Sequence, residues 1–111
     1  PCSQPESQLL KRIFQEFSPE YCFNMHDQRT IYGVGDSNKS AVVSFLAPAF
    51  NAARDINMHR SKAMQLIVSM NQELQKYIPN QVARYNDAYC DSCFGDYFTT
   101  QNAITILFEA G

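Results

Sequence analysis

The chain has 111 residues, 11 acidic against 9 basic side chains for a formal net charge of −2, and only 18% charged residues. That length reads as a single domain spanning residues 1–111, able to bury a core yet small enough to gain from covalent staples. The charge balance offers no basic stripe to neutralise phosphates, which excludes nucleic-acid partners. No apolar run reaches the about 18 residues of a membrane span, and no basic segment precedes an apolar stretch at the N-terminus, so the chain is expected to be soluble and already processed.

Residues Leu9, Leu10, Ile13, Phe14 and Phe17 form one stripe at helical spacing. Ser3 and Glu6 have capping-box spacing, Pro5 suits a first turn, and Ser18-Pro19 is a stop, so a first helix is predicted between them. From Tyr21 to Asp36 the helical period is lost, Gly33 and Gly35 permit turns, and Thr30 to Val34 reads as a short strand.

Apolar residues then recur at helical spacing from Ser40 to Ile78, through Val42, Leu46, Ala49, Ala53 and Ile56, then Ala63, Ile67, Met70, Leu74 and Tyr77. A single rod of about 40 residues would span roughly 60 Å, so two helices are predicted with a turn near Asn57 to Ser61. Pro48 either kinks the first helix or marks its start. In the second case Ala41 to Leu46 pairs as a strand with Thr30 to Val34.

Pro79 opens a further predicted helix with Val82, Tyr85, Tyr89 and Cys93 inward, ending near Gly95. Thr99 or Thr100 can cap a last helix through Ala103, Ile104, Leu107 and Phe108. Ile104 to Phe108 also fits a buried strand; the helix is preferred. The fold class expected from this pattern is mainly all-α, a bundle of four to five helices stapled by disulfides. The alternative is α+β, with a small hairpin at about residues 30–46.

The four cysteines, Cys2, Cys22, Cys90 and Cys93, carry the compartment argument. An even count at distant spacing favours an oxidising environment, hence a secreted, extracellular or periplasmic protein. On a helix, Cys90 and Cys93 would share a face, and a bridge between them would staple little. Cys2 and Cys22 are therefore each expected to join one of that pair, at about 4 kcal/mol per bridge in the chain-entropy model.

Cys90-Asp91-Ser92-Cys93 also has the spacing of a thiol–disulfide redox site. With Cys90 placed inside or near the end of a helix, the helix dipole would oppose a thiolate, which argues against that chemistry. Cys22, His26, Cys90 and Cys93 would supply four ligands for a zinc site, the alternative to a metal-free chain.

Gly33 to Ser40 imitates a phosphate-binding loop with Lys39 and Ser40 in place, but Asn38 stands where the motif requires glycine, so a polar turn is preferred. Asn38-Lys39-Ser40 is also a glycosylation sequon. No spacing identifies a catalytic triad or a carboxylate pair, so no enzymatic activity and no cofactor are expected.

Six tyrosines, eight phenylalanines and four methionines without tryptophan give an adaptable apolar interior. Tyr21, Phe23, His26 and Arg29 in the irregular segment, and His59 and Arg60 in the inferred turn, are the chemically mixed residues expected to dock a partner. The function expected is recognition of another protein, as a secreted ligand, an inhibitor or immunity factor, or a receptor fragment. The alternatives are a carrier of a small apolar ligand and a zinc-stabilised intracellular module.

Overall fold

The computed structural model describes residues 3–28 and 33–111. Along the chain run α1 (Pro5–Phe17), β1 (Tyr21–Asp27), β2 (Val43–Leu46), α2 (Met58–Leu74), β3 (Val82–Arg84), α3 (Phe94–Thr100) and β4 (Ile104–Ala110). Among the described residues the architecture is α+β, three helices and a four-stranded mixed sheet, and corrects the expected bundle of four to five helices.

The sheet order is β1-β4-β2-β3, so the last strand of the chain lies in the interior of the sheet. β4 runs parallel to β1, Tyr21 facing Ile104 and Asp27 facing Ala110, and antiparallel to β2, Phe45 facing Phe108. β3 pairs parallel with β2, Val43 facing Val82. β4 is the segment for which a helix was preferred. Its first four residues are buried, as an interior strand covered on both faces requires, and β-branched Ile104, Thr105 and Ile106 suit a pleated surface better than a helix.

The predicted helix upstream of residue 57 is replaced by β2 and an irregular stretch over 47–57. Pro48, almost wholly buried, lies two residues past the last residue of the strand, where a missing amide donor is tolerated. Of the residues that made the helical pattern there, Ala53 and Ile56 are exposed. α2 begins inside the predicted turn, because the Asn57 side chain accepts the Arg60 amide at 2.8 Å and caps the helix.

In the expected 30–46 hairpin, Thr30, Ile31 and Tyr32 lie outside the described residues. Gly33 and Ser40 form an antiparallel bridge, whereas Val43–Leu46 pairs with β4 and β3. Residues 33–40 therefore make a polar turn leading to a strand, with Asn38 exposed, and no helix follows to complete a phosphate loop.

The core lies between the sheet and α2: Val43, Phe45, Ala47, Ala63, Ile104 and Ile106, with Met64, Ile67, Met70 and Leu74 packed against them. Phe45 meets Phe108 edge-on at 5.1 Å. Arg60 is also buried, 3% exposed, and ties the neighbouring segments together. Its guanidinium donates to the Ala47 carbonyl at 3.1 Å, the Arg54 carbonyl at 2.7 Å, the Asp55 carbonyl at 3.2 Å and the Asp87 carboxylate at 2.8 Å. A residue expected to dock a partner is thus part of the framework.

α3 covers the opposite face of the sheet, and α1 is attached outside it. Phe14 stacks on Phe98 at 4.5 Å, and none of the α1 residues is buried. α1 matches the sequence reading in extent, with a different cap. Gln4 is the N-cap and makes no side-chain bond, so the Ser3–Glu6 box does not form, while Ser18 ends the helix in the left-handed conformation.

Candidate functional site

On the α3 side of the sheet a partly open groove of about 600 Å³ runs between β1, β4 and the turn that precedes α3. Alternation along β1 sends Cys22, Asn24 and His26 to one face, level with Thr105, Leu107 and Glu109 of β4. Leu10 of α1 and Phe94 and Phe98 of α3 line its apolar part. His26 Nε2 lies 3.0 Å from Asn24 Oδ1.

The other wall is a turn closed by a disulfide between Cys90 and Cys93, whose Cα atoms are 5.4 Å apart. The Cys93 amide donates to the Cys90 carbonyl at 3.1 Å, and Cys93 is the N-cap of α3. The Cys90 amide donates to Asp96 Oδ2 at 2.9 Å, and Cys90 Sγ lies 3.3 Å from the Ser92 hydroxyl. Asp96 is 7% exposed; burial pushes its carboxyl above the usual carboxylate range, against the hydrogen bond from the Cys90 amide. Gly95 lets α3 approach, since a β-carbon there would lie 3.2 Å from Pro48 Cγ.

This geometry corrects the expected long-range staples. Residues 80–93 do not form a helix that presents both cysteines to distant partners; they form β3 and an irregular segment, and the tight turn brings Cys90 and Cys93 to each other. A loop this short contributes about 2 kcal/mol in the chain-entropy model, against about 4 for the expected bridges. Cys22 is a free thiol, half-buried and pushed up by that burial, and Cys2 lies outside the described residues.

Cys22, His26, Cys90 and Cys93, the zinc alternative, do line one groove. The disulfide uses two of the four ligands, and no group of three or more His, Cys, Asp and Glu side chains in a metal-holding arrangement occurs among the described residues.

The described residues expected to dock a partner are not gathered in one patch. Tyr21 and Phe23 stand on the face of β1 opposite Cys22 and Asn24, 50% and 53% exposed, and Met25 continues their row at 66%. His26 faces the groove, His59 is half-buried in the first turn of α2, Arg60 is buried, and Arg29 lies outside the described residues.

Sequence reasoning missed Met25, Asn24, Asp96 and Glu109. The signal for the first two was present as the two-residue alternation of Tyr21 to His26, in a stretch read as irregular. Asp96 and Glu109 carried no local signal, because only the pairing of β4 with β1 and the packing of α3 bring them to the groove.

A second groove, about 730 Å³, lies between α2 and β3, lined by Met64, Ile67, Val68, Val82 and Tyr85. No protein-family model, no curated protein and no solved structure matches this chain. No helix among the described residues is long and apolar enough to cross a membrane.

Proposed function

We propose that the protein recognises another protein, and that β1 is its docking element, taking up an extended segment of the partner as an added strand. The observation that carries this reading is the inverted burial of β1. Its apolar row, Tyr21, Phe23 and Met25, is at least half exposed, while Cys22 and Asn24 on the opposite face are the more covered residues. β1 ends the sheet order, with β4 its partner in the sheet, so among the described residues no strand pairs with its outer backbone groups.

Strand addition draws affinity from the main chain and selectivity from alternating side-chain positions, which this row supplies. The exposed stripe of α1, Leu9, Ile13 and Phe17, adds further apolar surface. The Cys90–Cys93 disulfide supports an oxidising compartment, secreted or periplasmic, as the setting.

Selection from a displayed library of random peptides tests the reading. The expected outcome is enrichment of peptides with alternating apolar residues, whose binding falls at least tenfold in Phe23→Lys and in Met25→Pro, which removes an amide on the outer edge, while the fold is retained by circular dichroism. Binding unaffected by both variants would sink it. A dimer in the free protein that these variants dissociate would instead identify a second copy as the occupant.

The groove between α2 and β3 favours one further reading, a carrier of a small ligand with an apolar body and a polar end, since Met64, Ile67, Val68 and Val82 line it together with Asn71, Arg84 and Asp87 and its volume suits such a guest. Native mass spectrometry of the purified protein is the check: a retained guest supports it, and a bare chain removes it.

A further inference from the structure

We propose that the Cys90–Cys93 disulfide is an exchangeable redox centre, which oxidises a polypeptide dithiol presented in the adjoining groove. Both half-cystines belong to one turn, so the bond joins no distant elements. The turn is also held by other bonds: Cys90 N–H to Asp96 at 2.9 Å, Cys93 N–H to the Cys90 carbonyl at 3.1 Å, and Tyr97 N–H to the Cys93 carbonyl at 3.0 Å. The geometry around the sulfurs can therefore survive their reduction.

Access is the second argument. Cys93 is exposed, Cys90 is half-buried, and both border the groove, where Leu10, Phe94 and Phe98 offer apolar surface to a bound chain. The electrostatic objection drawn from the sequence no longer applies, because the cysteines precede a helix and do not end one. The Ser92 hydroxyl, 3.3 Å from Cys90 Sγ, can donate to that sulfur as it gains charge. Cys22 faces the same groove, but burial keeps its thiol protonated and out of the exchange.

The chemistry balances with the dithiol as reductant. One substrate thiolate attacks Cys93 Sγ, a substrate–Cys93 bond forms, and the bond to Cys90 breaks. Cys90 leaves as a thiolate and takes a proton from solvent. The second substrate thiolate then attacks the substrate sulfur of this mixed disulfide, and Cys93 leaves as a thiolate and is protonated. The substrate loses two electrons and two protons and becomes a disulfide, while the protein becomes the Cys90, Cys93 dithiol. The step needs only the groove and the sulfurs, so it stands apart from the docking role of β1.

The oxidised full chain, mixed with a short unstructured peptide carrying two cysteines, provides the test. Acid quenching, alkylation and mass analysis are expected to show up to one peptide disulfide formed per chain, at least tenfold faster than with oxidised glutathione at the same pH. A single-cysteine peptide should be trapped on Cys93. The reduced wild-type chain should keep its native amide dispersion in NMR spectra. A rate no greater than that of oxidised glutathione, trapping on Cys90, or unfolding on reduction would each overturn the proposal, the last by identifying a structural staple.

Discussion

Arg60 illustrates at the residue scale how a charged side chain becomes framework. Its guanidinium satisfies three backbone carbonyls and one carboxylate in fixed directions, a pattern a lysine ammonium does not reproduce. Arg60→Lys is expected to cost about 2 kcal/mol, from carbonyls left without donors, and urea denaturation measures it. Asp87, hydrogen-bonded by Arg60 and then by Arg54, is held below the usual carboxylate range, so its contribution is present above that range and lost as pH falls through the lowered value. Asp96 has the opposite sign. Its raised carboxyl binds a proton more readily in the folded chain, so stability falls as pH rises from the usual carboxylate value through the raised one. Asp96→Asn is expected to flatten that descending limb, and Asp87→Asn the acid limb, in denaturation midpoints followed across pH. Neither residue had a local signature, because Asp87 is shifted by Arg60 and Arg54, far away in the sequence, and Asp96 by a burial that only the packing of α3 supplies.

Among the elements, α1 and β1 make opposite lessons of the same amphipathic vocabulary. α1 was legible because its stripe, Pro5 and Ser18-Pro19 all act within one helix length, yet its stripe stays largely exposed. Its attachment runs through Phe14 against Phe98 and Tyr97, with Lys11 over the Tyr97 ring at 5.7 Å. Phe14→Ala is therefore expected to undock the helix while the sheet stays folded. Hydrogen exchange would show α1 amides losing protection by at least tenfold and β4 amides unchanged. In β1 the alternation was visible, but which side would be covered was not; the less apolar row is the one that α3 and the disulfide turn cover. Helical spacing in 40–56 and 79–93 was misleading, since Pro48 interrupts a helix in the first stretch and both stretches supply strands to the sheet, β2 and β3.

At the scale of the whole molecule, the pairing of β1 with β4 joins residues 21 and 104, a separation of 104 − 21 = 83 positions. Such a contact closes a long loop before it stabilises anything, so folding is expected on the millisecond-to-second scale rather than the microseconds of a helical bundle. Stopped-flow mixing measures that directly. The sequence by itself determined the first helix, the second half of the long periodic stretch that became α2, and the polar turn at 33–40. All of these rest on interactions within a few residues. The tertiary structure alone decided that Ile104 to Ala110 is an interior strand, that Cys90 bonds to Cys93 with Cys22 left free, and that Asp96 and Glu109 share a groove with His26. The reason is physical: a short apolar run satisfies its backbone equally well as helix or strand. The choice falls to whichever distant segments can cover it on both faces.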